Sequence, residues 1–234
     1  MTKTYVQKSH EDPRISVNKL AEYLSTNKAA RRTRILKEAK FPPTFQTIRY
    51  DPAREIVQRF LSGAIPNTQS LQTVIDTYSK LPASDDYEQR TQKSNVEALG
   101  YFLTLAPTLD FGDSEISLGA HAPPKITISD VAISVRPDLL LVTSKKGANL
   151  RGAIKLNISK GAVHTKDSSE YAGTLVRHYL TGKHGAECDY RLCYTLDVFG
   201  KKLTEAPKSV TNRMKDVESA CAEIARQWES ITND

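Results

Sequence analysis

Two residues stand out by type and spacing. Asp138 closes a Pro137-Asp138 pair inside the apolar run 135–142, and Lys155 follows 17 positions later within 151–159, RGAIKLNIS. A carboxylate is an oxygen ligand for hard cations, and an ammonium stabilises negative charge. The residue two before Lys155 shares its strand face by period-2 alternation, and that residue is Ala153. Counting from Lys160 instead puts Ile158 there. The strands themselves therefore offer one carboxylate and one cation.

A second feature is charge. The chain carries a formal net charge of +6, and residues 1–60 hold 13 Lys+Arg against 6 Asp+Glu, so the excess is N-terminal. Its centre is Lys28, Arg31, Arg32, Arg34, Lys37 and Lys40, diluted by Glu38 and Glu55. A concentrated positive surface attracts polyanions, and neutralising phosphates releases counterions. Other chemistry is thin. His178 and His184 lack a third ligand at zinc spacing. The chain has no phosphate loop, dinucleotide fingerprint or nucleophile elbow. Cys188, Cys193 and Cys221 form an odd, sparse set. That set argues against a disulfide framework, fits a reducing cytoplasm, and reads as small apolar residues. No apolar run approaches the roughly 20 residues of a membrane-spanning helix, and the N-terminus has no signal-like apolar stretch, so no membrane partner is expected.

The elements that must position these residues follow from periodicity. Ser16 caps a helix over 16–27 with Val17, Leu20, Ala21 and Leu24 on one face. A basic helix covers 28–40 and stops at Phe41-Pro42-Pro43. Asp51-Pro52 starts a third helix, 69–80 forms a fourth, and a helix from Ser84-Asp85-Asp86 runs to about 105. Strands are expected over 125–134, 135–142 and 151–159 as an antiparallel meander. A helix at 166–181, a strand at 189–199 and a helix at 208–231 follow. The fold class is α/β (α+β), with a helical basic region over 1–83 and a sheet domain over 84–234.

From residue 92 onward the order is helix, three strands, helix, strand, helix, with Pro137-Asp138 on the second strand and Lys155 on the third. This resembles the PD-(D/E)xK nuclease superfamily over roughly residues 92–200. The resemblance implies an αβββαβ restriction-endonuclease-like core and a Mg²⁺ or Mn²⁺ ion held by carboxylates. It also implies phosphodiester hydrolysis by a metal-activated water that Lys155 positions. Because Ala153 stands where the family has its second carboxylate, the resemblance turns to helix acids as further metal ligands beside Asp138. These are Glu97 on the helix before the sheet, and Asp167 and Glu170 on the helix after Lys155. The Asp167–Tyr171 spacing is similar to the Q-xxx-Y helix motif of RecB-like members, with aspartate for glutamine.

Two functions follow. The first is a metal-dependent nuclease whose basic N-terminal region grips the nucleic-acid backbone. The alternative is a non-catalytic protein on the same fold that binds nucleic acid or a protein partner, or is a subunit of a larger assembly. The enzyme reading requires the side chains of Asp138 and Lys155 to converge.

Overall fold

The computed structural model describes residues 9–42, 50–145 and 147–233. A short strand β1 (Arg14–Ser16) leads into five helices, α1 (Val17–Ser25), α2 (Ala29–Lys40), α3 (Asp51–Leu61), α4 (Thr68–Ser79) and α5 (Asp86–Leu105). Strands β2 (Glu115–Leu118), β3 (Ile126–Ile128), β4 (Val131–Ser134), β5 (Leu139–Lys145) and β6 (Ala148–Asn157) follow. Helix α6 (Lys166–His184), strands β7 (Cys188–Asp197) and β8 (Lys202–Glu205), and helix α7 (Thr211–Gln227) complete the described chain. It is a mixed α/β protein, as expected. Helix starts are marked by side-chain caps. Ser16 accepts the Lys19 amide, Asn67 that of Ser70, Asp85 that of Glu88, and Thr165 that of Ser168.

The main sheet has the order β2-β5-β6-β7-β8. β5 runs antiparallel to β2 and β6, β7 runs parallel to β6 after the α6 crossover, and β8 returns antiparallel. Alternation on β6 splits its side chains between two cores. Ile154 and Leu156 join Leu139, Leu141 and Leu196 against Val57 of α3 and Leu99 and Phe102 of α5. Ala153 lies on the opposite face with Leu20 of α1, Leu175 and Val176 of α6, and Val217 and Ile224 of α7. Both cores draw on residues before and after position 83.

The expected strand over 125–134 is a hairpin instead. Ser129 and Asp130 take positive φ of 44° and 64°, a two-residue turn that reverses the chain between β3 and β4. The sequence carries the sign of this break. Apolar parity flips from Ile126 and Ile128 to Val131 and Ile133, which a continuous strand would not allow. The hairpin does not join the main sheet. It forms a three-stranded sheet with β1, which pairs parallel to β4. The first strand of the main sheet is β2, an edge strand with three of its four residues exposed.

At the end of β2, Gly119 donates its amide to the Asp138 carbonyl at 3.0 Å. A Cβ there would lie 2.0 Å from the Pro137 carbonyl oxygen, so only glycine lets the chain approach the Pro137-Asp138 peptide this closely.

Candidate functional site

Asp138 sits one residue before β5, and its amide donates to the Ile154 carbonyl across to β6 at 2.9 Å. That register puts its carboxylate on the same side of the sheet as Lys155. The two side chains meet, with Lys155 Nζ 2.9 Å from Asp138 Oδ2. Oδ2 also accepts the Leu156 amide at 2.8 Å, and Oδ1 accepts Arg54 Nη1 at 2.5 Å. Arg54 comes from α3, and Gln58, one helical turn on, donates to the Asp138 carbonyl at 3.0 Å. Lys155 Nζ also donates to the Arg136 carbonyl at 2.9 Å. Arg136 precedes proline with a φ of 37°, a left-handed conformation that costs a non-glycine residue about 1–3 kcal/mol. In this conformation its carbonyl meets Lys155.

The Asp138 side chain is 2% exposed, that of Lys155 10% and that of Arg54 24%. Burial works to raise the Asp138 pKa, but Lys155, Arg54 and the Leu156 amide outweigh it and hold the carboxyl below its ordinary value. Burial pushes Lys155 downward, with Asp138 pulling against it. A depressed carboxyl pKa contributes stability above the unfolded value, near pH 4, and loses it as pH falls towards the folded value. The stability gap between wild type and Asp138→Asn should therefore narrow as pH drops below about 4. Urea titrations at stepped pH check this, and a gap independent of pH would contradict it.

The donor set does not suit the divalent ion that the resemblance implies. Both Asp138 oxygens already accept from cations or an amide. An ion there would have to displace Arg54 or Lys155 and share the space with both positive charges. Among the described residues, no three of His, Cys, Asp or Glu converge as ligands. The helix acids expected beside Asp138 are engaged elsewhere. Glu97 pairs with Lys160 at 2.6 Å, while Glu170 and, at 3.9 Å, Asp167 pair with Arg213 of α7. Tyr171 donates to Asp216 at 2.8 Å, not to Asp167. None of these three acids lines the cavity around Asp138. As arranged, the residues do not fit a magnesium or manganese centre.

They do line a cavity of about 540 Å³ between β1, α1, α3 and the start of β5. Its walls include Arg14, Lys19, Arg54, Arg136 and Lys155, against two carboxylates, Asp51 and Asp138. Sequence reasoning missed Arg14, Lys19 and Arg54, because nothing local links β1, α1 or α3 to Asp138, and it passed over Arg136 although that residue stands two before Asp138.

The basic helix is only partly available. Arg31 pairs with Glu22 at 2.5 Å, Arg34 with Glu38 at 2.8 Å, and Arg32 donates to the Thr26 carbonyl and lies over the Tyr23 ring. Lys28 and Arg34 are exposed, whereas Lys37 is half-buried. Lys40 donates to the carbonyls of Trp228, Glu229 and Ile231 beyond the C-terminal end of α7, at 2.7, 3.2 and 3.0 Å. A cation at that end satisfies orphan carbonyls and complements the helix dipole. Lys40→Met should destabilise the fold by about 1–2 kcal/mol, read as a lower melting temperature. A stability unchanged from wild type would refute this capping role.

Compared with known proteins, the chain matches no family model, and no curated protein matches it significantly.

Proposed function

We propose that the chain is a nucleic-acid-binding protein on a restriction-endonuclease-like core, with the Arg54–Asp138–Lys155 ion cluster where that nuclease family keeps its metal. The core assignment is supported by the main-sheet succession α5, β2, β5, β6, α6, β7, interrupted by the β3–β4 hairpin, and by the meeting of Asp138, just before β5, with Lys155 on β6. The observation that carries the binding function is the cavity's composition. Five Lys and Arg side chains line it beside Asp51 and Asp138; Lys19 pairs with Glu38 at 3.3 Å and Arg54 and Lys155 share Asp138, so Arg14 and Arg136 carry the surplus charge. Phosphodiester groups supply the complementary charge, and arginine forks match phosphate oxygens. Exposed Lys28 adds positive charge on the N-terminal region, where Arg34 is paired with Glu38. Contacts of this kind fix position on the backbone and carry little sequence information.

A second reading, metal-dependent hydrolysis of phosphodiesters, draws on the same convergence of Asp138 and Lys155. It requires Asp138 to release Arg54 before it can hold an ion.

Binding is tested by anisotropy of labelled single- and double-stranded DNA and RNA at rising salt. The expected result is an affinity whose logarithm falls linearly with the logarithm of salt concentration, with little dependence on sequence. An affinity insensitive to salt, or no binding at low salt, would overturn the reading.

A further inference from the structure

The cysteines of β7 lie apart from the ion cluster. In a regular strand, residues five apart face opposite sides and lie about 17 Å from each other. Here Cys188 stands opposite Arg151 and Cys193 opposite Ala153, so five steps on β7 match two on β6. The surplus residues bulge outward, and Arg191 folds back onto Asp189, its amide at 3.0 Å and its Nη2 at 2.6 Å. Gly152 lies against the bulge. A Cβ on it would be 2.1 Å from the Leu192 carbonyl oxygen, so a side chain there would force the bulge open. The outcome is two free thiols with sulfurs 3.9 Å apart, Cys188 half-buried and Cys193 buried.

We propose that Cys188 and Cys193 are a thiol redox site that closes to a disulfide on contact with hydrogen peroxide and reopens with a dithiol reductant. Cys188 is the attacking sulfur. Its contact with the Cys193 sulfur, aided by Thr181 and the Arg177 charge and opposed by burial, brings its pKa down to about 6. The same contact, followed by burial, pushes the Cys193 thiol up.

The Cys188 thiolate attacks one peroxide oxygen. An S–O bond forms, the O–O bond breaks, and the departing hydroxide takes a proton to leave as water. Cys188 is then a sulfenic acid. Cys193 attacks that sulfur, the S–S bond forms, the S–O bond breaks, and hydroxide leaves as water with the Cys193 proton. Two thiols are oxidised by two electrons, and one peroxide is reduced to two waters.

Trypsin separates the two cysteines by cutting after Lys183, Arg191 and Lys201, which places Cys188 in peptide 184–191 and Cys193 in peptide 192–201. The folded protein is treated with peroxide, its remaining thiols are alkylated, and it is digested and analysed by mass spectrometry. The expected product is the two peptides joined and two hydrogens lighter, obtained from monomer and lost on reduction, with Cys221 alkylated. In Cys193→Ser, peroxide should instead leave a Cys188 sulfenic acid that dimedone traps. Several results would overturn the proposal. They are Cys188 driven to sulfinic acid while Cys193 is alkylated, dimers joined through Cys188, both cysteines alkylated, or dimedone trapping in Cys188→Ser equal to that in Cys193→Ser.

Discussion

Asp138→Ala is expected to cost the fold about 3–5 kcal/mol, because it strands two buried or half-buried cations that now share one carboxylate. Lys155 has little route to water, with its side chain 10% exposed, whereas Arg54 at 24% can turn outward. The Leu156 amide also loses its acceptor. Total folding stabilities run to about 5–15 kcal/mol, so the variant should be visibly compromised at room temperature. In urea the midpoint should fall while the slope stays constant. Asp138→Asn combined with Lys155→Met should cost less than Asp138→Ala alone. It removes both members of the tightest pair, and the Asn carbonyl still accepts the Leu156 amide. A double variant as damaged as the single one would show that the ion pair is not the source of the effect. A carboxylate kept only to hold metal would, by contrast, be dispensable to folding.

Replacing Arg14 and Arg136 together with alanine should reduce the magnitude of the salt slope for nucleic-acid binding by about 2, roughly one for each phosphate that is no longer neutralised. Both line the cavity, and neither belongs to the Asp138 ion cluster, so the fold should keep most of its stability. The affinity should fall by a similar factor for every sequence tested, because backbone contacts do not discriminate bases. Lys40→Met is the matched control. It removes one positive charge from the basic helix, but that lysine is occupied by carbonyls beyond the end of α7, so the slope should hold. A slope unchanged in the double variant but reduced in Lys40→Met would move the binding surface from the cavity to the basic helix.

The sequence was most informative where its signals are local. The Ser16 cap, the helix at 28–40 and the strand bearing Lys155 follow from periodicity and turn chemistry, whereas the strand expected over 135–142 begins only at Leu139, because Arg136 takes a positive φ and Asp138 falls just before it. The meeting of Asp138 and Lys155 follows from the antiparallel pairing of β5 with β6, whose register continues through Asp138. The edge strands β2 and β8 were missed because each is four residues long, so the alternation of Ile116 and Leu118 in β2 and the single apolar Leu203 in β8 are too short to mark a strand. Strand β1 depends on pairing with β4, more than a hundred residues away. Arg54 was hidden for the same reason, since its role rests on α3 packing beside β5. The approach of Cys188 to Cys193 depends on a bulge that strand periodicity cannot foresee.

If the Asp138 cluster serves binding without cutting, nucleic acid should be held and left whole. The most direct test is to incubate end-labelled DNA and RNA with the protein in Mg²⁺ or Mn²⁺, following binding and strand length in the same samples, beside Asp138→Asn and Lys155→Met. All three proteins should form a salt-sensitive complex and leave the strands intact. Metal-dependent cleavage by the wild type, lost in both variants, would contradict this and make Asp138 a metal ligand after all.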